Sequence, residues 1–407
     1  MLPWPGEVLE ERAGEIAAGF AALLTRQAAW RHRRVETLTV LSHEQVRRAV
    51  SVDFTVPAEH RADVRLSDRE WVVPLALLAK RPLVNFDLRA EDESAVPLLR
   101  AEETQVIARE LLYVMLELDR EEAADDPDAG PLIERLLAAG PDDAGAVSAD
   151  VAVLDERFGG LPGFAALADR LARGFLLCAV VGDVDRRRVL KFAYDEPLAR
   201  PGRFAHFYDA PGCTEAASYH AEVDVPDEMR ARTTELLDNV TGSILTEGPR
   251  DADRPAVYYV ADTGRRLEPG ISVRYGTERG RFLLPAALVA GVIALELALP
   301  WLLADLRHLA ASAGPAISVL LSSSAIFSAL VLRSGEHPLV RLVLAPYRLC
   351  LAAATLAAVV AGASLGFQAG AGALRWCWGL GAVVALLAVG ILSWEAARAP
   401  SSRESFR

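Results

Sequence analysis

Residues 282–303 read FLLPAALVAGVIALELALPWLL, twenty-two positions with one charge, Glu296. A helix needs about 20 consecutive apolar residues to cross the hydrocarbon core of a bilayer. Three more stretches meet that length: Ala310–Leu332 with no charge, Leu342–Phe367 with Arg348 near its start, and Ala373–Trp394 with Arg375 near its start. A soluble helix of this length carries a polar stripe; these are apolar all round. The sequence therefore predicts an all-α bundle of four transmembrane helices over 282–394, with a short tail over 395–407.

Arginine placement predicts orientation, because cytoplasmic flanks retain basic residues. Arg274, Arg279 and Arg281 precede the first span, Arg333 and Arg341 lie in the second loop, and Arg398, Arg403 and Arg407 lie in the tail. The first and third loops carry only Arg307 and Arg375. Both termini are expected in the cytoplasm, with the protein multi-pass in the plasma membrane. Trp301, Trp376 and Trp378 would mark one interface, Tyr347 and Trp394 the other.

Helices in lipid associate through small residues that allow close approach. Ala354, Ala358 and Gly362, Gly381 and Ala385, and Ala287 and Gly291 form such ridges, within the bundle or as a seam for self-association. Glu296 lies about 21 Å along its span at 1.5 Å per residue. The same depth on the second and third spans falls at Ser318 and Thr355. An ionisable residue inside a membrane is a functional-site candidate, so Glu296, Ser318 and Thr355 form the candidate intramembrane set.

The chain carries a net charge of −12. From Phe282 onward eight Arg against five Asp or Glu give +3, which leaves −15 on residues 1–281. That acidity argues against nucleic acid, whose affinity rests on cations neutralising phosphate. The N-terminus bears Glu7, Glu10 and Glu11 where a signal peptide has a basic region and an apolar run, so the acidic region is expected to stay in the cytoplasm. Cys178 and Cys213 lie far apart, and Cys350 and Cys377 lie in spans, so no disulfide is expected in a reducing compartment.

Residues 1–34 predict an amphipathic helix: Leu9, Ala13, Ile16, Phe20, Leu23, Gln27 and Trp30 recur at helical spacing over Glu7–Trp30. Its polar face is acidic, which favours packing on the protein over lying on lipid. The basic Arg31, His32, Arg33 and Arg34 that follow suit anionic headgroups. Residues 35–100 read as a first β region, with Arg48–Val56, Trp71–Leu78 and Leu83–Leu88 alternating or apolar. Residues 101–173 read as a helical insert with an acidic linker from Asp119 to Asp128, and Ser148 as a helix cap. Residues 174–281 read as a second β region. There Phe175–Val181 and Arg188–Tyr194 predict an antiparallel hairpin across Gly182 and Asp183, and Tyr219–Val225, Ala256–Val260 and Ile271–Tyr275 are further strands. The fold class expected is an α+β cytoplasmic region, β-rich and sandwich-like, ahead of the four-helix transmembrane bundle.

His206, Asp209, Cys213 and His220 are the densest set of possible metal ligands, but their spacing fits no zinc pattern and no metal is expected. His206–Gly212 reads as an aromatic-rich loop. Nucleophile-elbow, phosphate-loop, dinucleotide and paired-His zinc motifs are missing, so no cofactor is expected and an enzyme is the weaker reading. The sequence predicts a membrane-anchored binding, sensing or scaffold module with lipid and protein partners. The alternatives are a channel or transporter subunit gated by the acidic domain, and a membrane-tethered enzyme.

Overall fold

The computed structural model describes residues 5–81, 83–118, 126–140, 143–198, 204–227, 229–250, 252–260, 267–277, 282–303, 322, 337–366 and 371–398. Helix α1 (Pro5–Thr25) buries Leu9, Ala13, Ile16, Phe20 and Leu23, the stripe its spacing predicts. It is shorter than expected. The Thr25 hydroxyl donates back to the Ala21 carbonyl at 2.7 Å, and a four-residue helix α2 (Gln27–Trp30) follows, pinned by Trp30 Nε1 donating to the Leu23 carbonyl at 2.8 Å.

The chain then enters β1 (Arg31–Val40) and β2 (Gln45–Phe54). They are the centre of a six-stranded sheet with β5 (Val84–Ala90), β7 (Arg188–Pro197), β9 (Ser218–Asp224) and β12 (Ala256–Val260), in the order β12-β9-β1-β2-β7-β5. Only β1 and β9 run parallel within it. Strands from both β regions thus interleave in one sheet. A three-stranded sheet joins β3 (Arg65–Ser67), β4 (Glu70–Ala79) and β6 (Gly174–Val181). A four-stranded sheet has the order β11-β10-β13-β8, from β8 (Ala205–Asp209), β10 (Met229–Asp238), β11 (Ile244–Glu247) and β13 (Pro269–Thr277).

The structure corrects two strand expectations. The Phe175–Val181/Arg188–Tyr194 hairpin does not form, because β6 pairs with β4 and β7 with β2 and β5. Their burial explains it: β6 is apolar and largely buried, as an inner layer needs, whereas β7 alternates and suits a sheet with one solvated face. The stretch His206–Gly212 is not merely a loop, since its first half is β8, paired with β13. Between β5 and β6 lie helices α3 (Ala101–Met115), α4 (Ala129–Ala138), α5 (Ala144–Phe158) and α6 (Phe164–Arg173). Ser148 falls inside α5, whose N-cap position is Asp143.

One face of the six-stranded sheet is buried along its whole length: Arg34, Glu36, Leu38 and Val40 on β1, Val46, Arg48, Val50, Val52 and Phe54 on β2, and Leu190, Phe192, Tyr194 and Glu196 on β7. That face serves two hydrophobic cores. Val50, Val52, Phe54, Leu190 and Phe192 pack with α1, the insert helices and the three-stranded sheet. Leu38, Val40 and Val46 pack with the four-stranded sheet. Where the cores meet, the face is ionic. Glu215, just beyond the 3-10 turn Pro211–Thr214, accepts from Arg31 at 3.2 Å, from Arg34 at 2.8 Å and from Arg170 of α6. Arg34 also donates to Glu36 at 2.7 Å, Glu36 accepts from Arg48, and Arg48 donates to Glu196 at 2.7 Å and to the Asp209 carbonyl of β8 at 2.7 Å. Arg81 closes the far end on Glu196 at 2.8 Å. Arg31, Arg34, Arg48, Glu36, Glu196 and Glu215 are all buried. Gly212 lies against the Arg34 guanidinium so closely that a Cβ would overlap it. The basic cluster read as a headgroup site therefore sends Arg31 and Arg34 inward.

Burial alone would push the Glu36 carboxyl up, but Arg34 and Arg48 outweigh it and hold the group below its usual range. Glu215 is held down likewise, burial being outweighed by Arg170, Arg34 and Arg31. A carboxyl depressed in the folded state contributes stability that is present above its unfolded value of about 4.3 and lost as pH falls through the folded value. Removing one partner strands buried charge at about 3–5 kcal/mol. We expect Glu36→Gln to lower unfolding free energy by that order in chemical denaturation at pH 7, and its loss of stability below about pH 4.3 to be shallower than in the wild type.

Candidate functional site

Three helices among the described residues are long and apolar enough to cross a membrane: α7 (Leu284–Leu303), α8 (Pro338–Gly366) and α9 (Ala371–Arg398). Their outward faces stay apolar, with Leu288 65%, Leu349 71% and Leu387 62% exposed. A water-facing surface of that kind is rare and marks contact with lipid or protein. The expected span Ala310–Leu332, and with it Ser318, lies outside the described residues.

The bundle is tight where the sequence places small residues. Ala354, Ala358 and Ala361 of α8 and Ala382, Ala385 and Ala388 of α9 are buried in one cluster with Ala286, Ala290 and Leu297 of α7. A Cβ on Gly381 would stand 3.2 Å from Leu297 Cδ1 and 3.6 Å from Ala357 Cβ, and one on Gly379 would stand 2.8 Å from Trp301 Nε1. Gly291, part of an expected ridge, faces open space. Leu297 and Ala357 therefore share a level at Gly381, which puts Glu296 and Thr355 within about one 5.4 Å turn of each other in depth. No hydrogen bond joins them. The Thr355 hydroxyl donates to the Leu351 carbonyl of its own helix at 3.0 Å, and Glu296 Oε2 is buried without a partner among the described residues.

These neighbours also give the helix directions. Arg348 lies over the Phe282 ring at 5.7 Å, so α7 and α8 both start at the same end. Tyr347 and Glu395 share a cleft there, so α9 ends where the others begin. That end abuts the β-rich region. Leu339, Val340, Val343 and Leu344 are part of the core between the six- and four-stranded sheets, and His337 Nε2 donates to the Val40 carbonyl at 2.8 Å. Helix α8 thus carries one buried stripe: Val340, Leu344 and Tyr347 face the sheets, and Leu351, Ala354, Ala358 and Ala361 face the bundle.

The sequence's weak metal set is dispersed. His206 is buried on β8, with Nδ1 3.3 Å from the Tyr208 hydroxyl and its ring edge-on to Tyr275. The Asp209 carbonyl serves Arg48. Burial raises the Cys213 thiol to about 12, too high for a ready thiolate. His220 sits on β9 with Nε2 2.9 Å from Glu222. Among the described residues no three His, Cys, Asp or Glu gather as a metal set.

A cavity that sequence reasoning missed lies in the other core. It encloses about 390 Å³ between α3, α6, β5 and β6, walled by Phe86, Leu98, Ala108, Leu171 and Leu177. Among the described residues its one charged lining group is Lys80, one of two lysines in the chain. The ammonium donates to the Leu137 carbonyl at 2.5 Å and the Ala139 carbonyl at 3.1 Å, at the C-terminal end of α4. Two of its three N–H groups are thus engaged, and desolvation lowers its pKa. The only signal in the sequence is a lone lysine between two strands.

The chain matches no protein-family profile and no curated protein.

Helix packing makes a paired expectation. Gly379→Ala forces the Trp301 indole to move, and overpacking of this kind costs about 1–3 kcal/mol. It should lower the melting temperature of the detergent-solubilised protein by several degrees, whereas Gly291→Ala should leave it unchanged.

Proposed function

We propose that this is a multi-pass protein of the plasma membrane whose acidic domain, with both termini, lies in the cytoplasm and binds a small amphiphile. The observation that carries the binding reading is the Lys80 cavity. Ligand pockets are concave, mostly apolar, about 300–1,000 Å³ in volume, and hold a few polar groups that fix orientation. This one offers apolar walls and a single ammonium with one donor to spare. An apolar chain with a carboxylate end fits that chemistry. Arg81, next to Lys80, begins the buried ionic chain that reaches the Asp209 carbonyl of β8. The sheet containing β8 shares its core with α8. A contiguous set of contacts therefore runs from the cavity to the bundle, which supports a sensing role over simple anchoring.

The proposed topology rests on the helix directions. Two helices that start at the same end need a return between them. Ala310–Leu332 is long and apolar enough to supply it as a fourth span. A second reading, a pore subunit, has the unpartnered Glu296 carboxyl in its favour; proton or cation flux in liposomes that falls in Glu296→Gln would establish it.

Two measurements check the main proposal. Thermal melts of the full chain in detergent should show a medium-chain carboxylate raising the midpoint more than the matching alcohol. Saturation at a hundredfold over Kd corresponds to about 2.7 kcal/mol. Ala108→Phe, which fills the cavity, should abolish the shift, and Lys80→Met should erase the preference for the acid. Equal shifts by acid and alcohol in the wild type would sink the ligand assignment. For topology, a cysteine replacing Asp305 should react with an impermeant maleimide only from outside, and one replacing Gly335 only from inside. Labelling of both from one face would remove the fourth span.

A further inference from the structure

We infer that the cleft where the four-stranded sheet meets the membrane helices binds the phosphate of an anionic phospholipid headgroup between Arg232 and Arg274. The cleft has a volume of about 410 Å³. The two arginines come from adjacent strands, β10 and β13, whose register places Thr233 opposite Arg274 and shifts between Ala231 and Thr233. Both Arg232 and Arg274 line the cleft. Arg232 lies flat over Gly276, where a Cβ would overlap its Nε and crowd its Cγ and Cδ at 2.9 Å. Only glycine lets the guanidinium lie there.

Among the described residues neither arginine has a carboxylate partner. Nearby Arg230 pairs with Asp253, but no ion pair involves Arg232 or Arg274 among the described residues. Arg232 Nε is shut off from solvent without an acceptor. Both arginines line the cleft, so the geometry points to an acceptor that enters it from outside. The guanidinium fork suits phosphate oxygens, which it can engage in pairs.

Charge and position narrow the ligand. Among the described residues lining the cleft the acid is Glu395 of α9, which beside the two arginines leaves a net +1. A phosphodiester carries one negative charge and matches it. The cleft sits at the end of the three apolar helices, where Arg398 lies 4.3 Å from the Trp394 ring centroid and Arg348 lies over Phe282. Aromatic and arginine side chains of this kind mark the membrane–water boundary. Basic pockets at that boundary bind lipid headgroups. Tyr347 and Val343 on α8 wall the bundle side of the cleft, where they suit the glycerol and upper acyl region of a lipid.

This inference is independent of the Lys80 cavity, and its test reads a different site. The full chain is reconstituted in nanodiscs of phosphatidylcholine with phosphatidylglycerol, released, and weighed by native mass spectrometry. The wild type should retain one phosphatidylglycerol in preference to phosphatidylcholine. The double variant Arg232→Gln/Arg274→Gln should lose that preference by tenfold or more. Glu395→Gln, which removes a like charge from another element, should strengthen it. This variant also keeps the test decisive should the double variant fail to fold. Equal retention of both lipids by the wild type would overturn the proposal, as would a weakened preference in Glu395→Gln. Displacement of the lipid by millimolar inorganic phosphate or glycerol phosphate would overturn the lipid as source and assign the cleft to a soluble phosphate compound.

Discussion

The alternating ladder Arg170, Glu215, Arg34, Glu36, Arg48, Glu196, Arg81 determines how the β-rich region is put together. It occupies the middle of a sheet face that is otherwise apolar at both ends. Ions taken out of water lose several kcal/mol each, and the loss is offset only when every oxygen and nitrogen finds a partner in good geometry. A hydrophobic surface tolerates sliding; an interlocked set of forked arginines and carboxylates does not. The ladder therefore fixes how the insert helices, the Pro211–Thr214 turn and the four-stranded sheet sit against the central strands. Its stabilisation is small beside the two cores, and its contribution is to the uniqueness of the arrangement.

The membrane helices follow from the same arrangement. The four-stranded sheet, held by the Arg48 bond to the Asp209 carbonyl, offers the groove into which the first turns of α8 insert. Beyond Tyr347 the same stripe of α8 switches its partner from sheet to helix. Pro346, which lacks an amide donor, lies just at that change of partner. The β-rich region and the bundle are thus joined through a shared packing surface, and the anionic-headgroup cleft lies at that surface.

Much of this was legible in the sequence and some was not, for physical reasons. Long apolar runs announce membrane helices because lipid removes the need for a polar face, so α7, α8 and α9 stand out. Amphipathic stripes such as Leu9–Phe20 and alternations such as Val50–Phe54 are local signals and read correctly as α1 and β2. Strand pairing is not local. Nothing in 175–194 says that two adjacent strands belong to different sheets, and Met229–Asp238 carries too many polar residues for its alternation to show. The ionic ladder misled most: Arg31 and Arg34 look like surface residues because their partner Glu215 is over 180 positions away. For the same reason the Lys80 cavity and the Arg232–Arg274 cleft, each built from distant segments, left no motif. Glu296 was visible because one carboxylate in an apolar run needs no partner to be conspicuous.

The insertion of α8 into the sheet core also sets an order of events during synthesis. The core between the six- and four-stranded sheets is unfinished until residues 339–344 leave the ribosome, after the first apolar helix has been made. The domain begins at the N-terminus yet waits for a segment more than three hundred residues later. Until then an apolar groove stays open on the nascent chain, so the domain closes only after its first apolar helix has been made.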